Sequence, residues 1–342
     1  MGIQERKSLY KQIEKRTNSR LISYVTGDRR GLETRIAGDV LPLMYEHLER
    51  IKHVNKLSLF IYTVGGDSLS GWGLVNLIKE FCDSFEVLIP FKALSCGTLI
   101  SLGADKITMT RGGQLSPIDP SLASPYNPTA PGQAQLGAVQ LLPVSVEDLM
   151  GYLKLAREEV GIKGDDGLSK IMALLSEKVH PMALGAVYRS REQISLLATK
   201  LLSAHEKDKT KIDNIVRVLT KELPSHQYLI SRKEAKALQL KVVDPTPEVE
   251  DLIGALYKEY EGMLGLTEPY SAEAILGVDA SKLCSLDRGI VESLIEGDRL
   301  LAHIFTTERE LRRVQGNQPG IPFPLIGVQE RNIREQWVRK EL

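Results

Sequence analysis

The chain predicts an α/β fold in which short apolar strands alternate with helices, the order that builds parallel βαβ units. Three observations carry this. Leu57-Ser-Leu-Phe-Ile-Tyr-Thr63 and Phe85-Glu-Val-Leu-Ile89 are strand-length runs rich in β-branched and aromatic residues. Each leads into a turn, Val64-Gly65-Gly66-Asp67 after the first and Pro90 to Ser95 after the second. Each turn then opens a helical pattern. Ser68 to Phe81 places Leu74, Leu77, Ile78 and Phe81 at helical spacing, and Thr98 to Ala104 holds only small and aliphatic residues, expected to be buried on all sides. Strands alternating with helices imply a parallel sheet.

The remaining elements follow in order. Residues 1–18 are charged and read as a helical, solvated arm or an oligomer contact. Arg20-Leu-Ile-Ser-Tyr-Val25 reads as a first strand and Gly27-Asp-Arg-Arg-Gly31 as a polar turn. Val40, Leu41, Met44, Leu48 and Ile51 mark a helix up to Lys52, and Ile107-Thr-Met-Thr110 another short strand. Residues 115–145 are rich in Pro, Gly, Ser and Asn and too long for a simple connection. That loop reads either as a substrate strap or lid, or as an inert surface excursion. From 146 to 222 the pattern is mostly helical, broken at Gly161–Gly167. Lys207, Lys209 and Lys211 beside Glu206, Asp208 and Asp213 read as a solvated mixed-charge face. A helix capped by Ser231 and a short strand at Leu240–Val243 close the main domain. Pro245-Thr-Pro247 marks the expected boundary: a domain at 1–245 and a mostly helical C-terminal extension at 246–342 used for assembly, with helices over Glu248–Leu264 and Arg288–Arg313.

Composition narrows the function classes. Lys plus Arg and Asp plus Glu are both 44, so no overall charge favours nucleic acid or an anionic membrane surface. No run approaches the ~18 apolar residues that span a bilayer, and Met1 to Ser8 has no apolar core of the signal-peptide kind. Cys82, Cys96 and Cys284 lack metal-ligand spacing, and their odd number fits a reduced, cytoplasmic protein. No P-loop, dinucleotide fingerprint or metal-ligand pattern is present, so no cofactor is expected.

The chemistry centres on the two turns. A Gly-Gly pair after a buried strand lets backbone approach a ligand closely and aim its amides inward. Ser95, at the junction of strand and helix, is the candidate nucleophile, and the amides of Gly65 or Gly66 and of Cys96 are the candidate oxyanion hole. The competing reading makes Ser95 a helix N-cap. Asp67 is expected to cap the helix after it, and Asp105 to make a structural hydrogen bond. His47, His53, His205 and His303 lie in charged, helical contexts and are expected at the surface.

Six stretches resemble the ClpP/crotonase fold, and more closely the serine dehydrogenase proteinase (SDH) family of Clp-fold serine proteinases, related to signal-peptide peptidase A. They are Tyr62-Thr-Val-Gly-Gly-Asp67, Ala93-Leu-Ser-Cys-Gly-Thr-Leu-Ile100, Gly103-Ala-Asp-Lys-Ile107, Leu115-Ser-Pro-Ile-Asp-Pro120, Ile22-Ser-Tyr-Val-Thr-Gly-Asp-Arg29 and Ser225-His-Gln-Tyr-Leu-Ile-Ser231. The resemblance covers about 1–245 and is most specific over 60–120. It implies repeated ββα/βαβ units, a serine endopeptidase acting on a peptide or protein substrate, and a homo-oligomer. For the general base it leaves alternatives open. Asp119 falls where ClpP-like proteases carry a histidine, relatives of signal-peptide peptidase A use a lysine (here Lys154 or Lys178), and His226 matches a family histidine. Gln227 stands where that histidine is commonly followed by Asp, and His180 is a further candidate. Two other functions fit the same fold: a crotonase-like acyl-CoA enzyme, and a non-catalytic oligomeric scaffold.

Overall fold

The structure, a computed structural model, describes residues 2–118, 121, 122, 126, 144–162, 164–223, 225, 227–296, 298–316 and 325–342. Along the chain the elements are α1 (Ile3–Thr17), β1 (Arg20–Thr26), α2 (Val40–Ile51), β2 (Val54–Tyr62), α3 (Ser68–Lys79), β3 (Cys82–Ile89), α4 (Cys96–Leu102), β4 (Lys106–Met109) and β5 (Gln114–Leu115). There follow β6 (Ser121–Leu122), β7 (Val144–Ser145), α5 (Val146–Lys154), α6 (Asp165–Lys178), α7 (Pro181–Ser203), α8 (Lys209–Arg217) and β8 (Ile230–Ser231). The chain ends with α9 (Arg232–Ala237), β9 (Val242–Val243), α10 (Pro247–Leu264), α11 (Ala272–Leu276), β10 (Ser281–Ile295), β11 (Arg299–Gly316) and β12 (Leu325–Glu341). Two compact units result, Met1–Leu115 with Ser231–Leu342, and Ser116–Ile230.

The first unit holds an eight-stranded mixed sheet in the order β12-β11-β10-β1-β2-β3-β4-β9. β1, β2, β3, β4 and β9 run parallel, as the alternation of strands and helices predicts. β10 pairs antiparallel with β1, and β11 and β12 continue antiparallel from it. On one face, α1 and α10 cover Phe60 and Tyr62 of β2, Val25 of β1 and Ile290 and Leu294 of β10. The strands alternate, so Leu59, Ile61 and Thr63 point to the other face. α4 lies there: a Cβ on its Gly97 would come 2.6 Å from Thr63 Cγ2.

Three expectations are corrected here. The C-terminal region is mainly β: helices cover Pro247–Leu264 and Ala272–Leu276, but the helical pattern over 288–313 is strand, within β10 and β11. β10 is a central strand, buried without a break from Gly289 to Ile295, so it shows no alternation and its apolar positions coincide with helical spacing. Because β10 hydrogen-bonds to β1, residues 246–342 build the same sheet as the N-terminal strands, and the compact units do not divide at residue 245. α1 is no solvated arm: Arg6, Leu9, Tyr10 and Ile13 are buried, Arg6 Nε lies 3.0 Å from Glu292 Oε2, and Tyr10 donates to Ser23 Oγ at 2.6 Å.

His47 and His303 also depart from expectation, being buried at 0% and 3% exposure while His53 is exposed. His47 Nδ1 is 2.7 Å from Ser293 Oγ and its Nε2 is 3.1 Å from His303 Nδ1, with Glu46 beyond His303 at 3.3 Å. Burial, reinforced by His303 and Arg339, pushes the His47 pKa down to about 3, and burial lowers that of His303. Both rings belong to the packing of α2 on β10 and β11. Asp105 accepts the Phe85 N–H at 2.8 Å, as expected.

In the second unit α7 packs on α8, burying Ile194, Leu197, Ile212, Ile215 and Leu219. Lys207, Asp208 and Lys209 are exposed, and Lys211 pairs with Glu206 at 2.6 Å, the mixed-charge face the sequence predicts. No helix among the described residues is long and apolar enough to cross a membrane.

Candidate active site

β2 and β3 both end at turns that feed helices, and the chain ties these turns together. Thr63 N–H donates to Lys92 O at 2.9 Å, and Leu94 N–H donates to Thr63 O at 3.0 Å. On the opposite edge of the Gly65-Gly66 turn, Ile36 N–H donates to Gly65 O at 2.9 Å and Asp67 N–H to Ile36 O at 2.8 Å. The turn is thus held between the segment that follows β1 and the segment that leads from β3 into Ser95.

Ser95 immediately precedes α4 with φ 51° and ψ −110°, and its side chain makes no capping hydrogen bond. An ordinary N-cap serine has extended φ and accepts an N–H of the first turn. Ser95 does neither, which removes the main support for the capping reading. A non-glycine residue at positive φ is strained, and strain of this kind gathers at functional turns. The following helix is buried over its whole length, so this half-buried residue is held by a rigid support.

Gly65 stands against it. With φ 111°, a Cβ on Gly65 would lie 2.7 Å from Ser95 Cβ and 3.2 Å from Ser95 Oγ, so only glycine fits. Gly65 N–H is already committed, donating to Thr63 Oγ1 at 3.0 Å. Among the described residues, the amides of Gly66 and Cys96 have no acceptor. The Gly65–Gly66 peptide is planar and trans, so pinning Gly65 C=O on Ile36 turns Gly66 N–H the other way. Because β1 and β3 flank β2 on opposite sides, that direction is the Ser95 side.

Asp67 caps α3, accepting Ser70 N–H at 2.7 Å, as expected. Cys96 Sγ donates to Asp67 O at 3.2 Å, and burial, then Asp67, push the thiol up to about 12, leaving it an unreactive packing group. Asp119 and His226 lie outside the described residues. His180 caps α7, its Nδ1 accepting Met182 N–H at 3.2 Å, and Lys154 and Lys178 are exposed at the ends of α5 and α6. A cavity of about 230 Å³ in the first unit is bordered by Thr26, Arg288 and Trp337. In its lining, Arg288 pairs with Glu335 at 2.9 Å and Trp337 Nε1 donates to Asp39 at 2.7 Å.

Sequence reasoning missed Thr63. A hydroxyl two residues before a glycine N–H is the signature of an ST-turn, and Thr63-Val-Gly65 carries it.

Residues 48–132, which contain both turns, match the family model of the ClpP-like SDH-type serine proteinases, and the chain is similar to that family over this segment. It is 29% identical over 216 residues to the uncharacterized protein MJ0137 of Methanocaldococcus jannaschii, covering 63% of each chain. It is 36% identical over 66 residues to MJ1495 of the same organism, covering 19% of this chain and 23% of that one. The chain thus spans under two thirds of the length of both relatives. Among solved structures, ClpP1 from Listeria monocytogenes aligns with TM-score 0.37 and 14% identity over 70% of this chain and 97% of its own. A mutant of the 1510-N membrane-bound stomatin-specific protease aligns with TM-score 0.37 and 14% identity over 67% and 83%.

Proposed function

We propose that the chain is a Clp-fold serine peptidase with Ser95 as nucleophile and the amides of Gly66 and Cys96 as its oxyanion hole. The observation that carries this reading is the backbone of Ser95: strained, uncapped, and pressed against a glycine that no other residue can replace. Ser95 Oγ attacks the scissile carbonyl carbon while its proton passes to a general base. The carbonyl oxygen becomes an oxyanion that accepts from Gly66 and Cys96 N–H, each donor contributing about 3 kcal/mol to lowering the barrier. Collapse expels the amine, which takes the proton back from the base, and water releases the acyl group by the same route. Gly65 serves by close approach rather than as a donor, its N–H being held by Thr63. His226 and Asp119 are the candidates for base and orienting group. An extended substrate would pair with the edge of the Gly65-Gly66 turn that faces Ser95, since Ile36 takes the other edge.

The test is hydrolysis of an unstructured protein such as reduced, alkylated casein, followed by mass spectrometry of the fragments. The account expects cleavage by the wild type and none by Ser95→Ala. Equal cleavage by both proteins would remove Ser95 from the chemistry.

A further inference from the structure

We infer that Thr63 is a positioning residue that, together with Ile36, holds the direction of the Gly66 N–H; this rests on the reading of Ser95 as nucleophile. Thr63 is fully buried, and four parts of the site meet on it. Its backbone straps the end of β2 to the Lys92–Leu94 segment that delivers Ser95. Its methyl carbon fills the space over Gly97 of α4. Its hydroxyl accepts from Gly65 N–H at 3.0 Å and from the hydroxyl of Thr26, at the end of β1, at 2.7 Å.

Gly65 has no side chain and φ 111°, a conformation with little steric restraint of its own. Left alone, a Gly-Gly pair samples many peptide orientations. Here the Gly65 N–H is anchored on Thr63 Oγ1 and the Gly65 C=O on Ile36 N–H, so the peptide planes on both sides of Gly65 are fixed. Thr63 also keeps the Gly65 N–H occupied, which leaves Gly66 as the amide presented to the reacting oxygen. Thr26 extends the anchor into β1. Preorganised donors stabilise an oxyanion because they need no reorganisation during the reaction, and this hydroxyl provides the preorganisation.

Two substitutions separate the hydroxyl from the packing. Thr63→Val keeps the shape and removes the hydroxyl; Thr63→Ser keeps the hydroxyl and removes the methyl carbon. The full-length protein is incubated with a fluorophosphonate, in which Ser95 Oγ bonds phosphorus, fluoride leaves and the serine proton goes to the base. The concentration dependence of adduct formation gives the binding constant and the maximal labelling rate separately. The inference expects Thr63→Val to slow the maximal rate about ten- to a hundredfold with reagent binding nearly unchanged, and Thr63→Ser to restore most of it. Labelling of Thr63→Val at the wild-type rate overturns the inference. So does a Thr63→Ser protein as slow as Thr63→Val, because packing would then be the cause. Should a melting curve show Thr63→Val unfolded, Thr26→Val takes its place, with a slowing of about threefold or more expected and none overturning the inference. Absence of an adduct on the wild type is a different result: it strikes the nucleophile reading itself.

Discussion

Two strand-to-helix turns stand side by side in the first unit, and they treat their polar residues in opposite ways. After β2, Asp67 has φ −69° and ψ 122° and spends its carboxylate on the Ser70 N–H. After β3, Ser95 has φ 51° and ψ −110° and leaves α4 uncapped. The first turn follows the rules that make helix starts stable; the second breaks them at a cost of about 1–3 kcal/mol. Strain persists only where surrounding structure enforces it, here through the fully buried α4 and the strapped Leu94. The relaxed turn is scaffold, and the strained one is where chemistry is expected.

The largest effect that would break this contrast comes from Gly65→Ala. The added methyl group meets Ser95 Cβ at 2.7 Å with φ at 111°, so it disturbs the strained turn directly. Fluorophosphonate labelling should fall roughly a hundredfold and chemical denaturation should show a loss of about 2 kcal/mol. A fully labelled, fully stable variant would mean that the two turns do not touch as described.

A second effect, smaller over any single pH unit, sharpens the contrast by using a polar group whose partners are Ser293 and His303. His47 is held at about pKa 3 against an ordinary value of 6.5. Between those values the unfolded chain binds a proton that the folded chain refuses, so stability is full above about pH 6.5 and falls as the pH drops towards 3. The slope should reach about 1.4 kcal/mol per pH unit for each buried imidazole, with His303 adding in the same direction. Denaturant titrations across this range measure it, and His47→Gln should reduce the slope. A flat wild-type profile would contradict the burial of the pair.

The smallest effect belongs to the relaxed turn. Asp67→Ala should lower stability by about 1 kcal/mol, the usual cost of a lost cap, while labelling changes little. A large loss of labelling with unchanged stability would show that Asp67 belongs to the chemistry after all.

The parallel half of the sheet was legible in the sequence, and the antiparallel half was not. β2 and β3 are short apolar runs closed by turn residues, and each precedes a pattern of helical period, so length and punctuation decide them. β10 and β11 are long, and β10 is buried on both faces from Gly289 to Ile295. Without alternation, Ile290, Leu294 and Leu301 mimic one stripe of a helix. His47 and His303 could not be found because each gains its partner across more than 250 residues of sequence. At the site, the residue types at Gly65, Gly66 and Ser95 could be read from sequence. The φ of Ser95 and the commitment of Gly65 N–H to Thr63 depend on how three segments pack, and no single stretch encodes them.

The most direct test of the account is intact-mass spectrometry after fluorophosphonate treatment, with wild type beside Ser95→Ala and the modified peptide sequenced. The expected result is one adduct, on Ser95, in the wild type and none in the variant. An adduct that persists in Ser95→Ala, or maps to another serine, would contradict it.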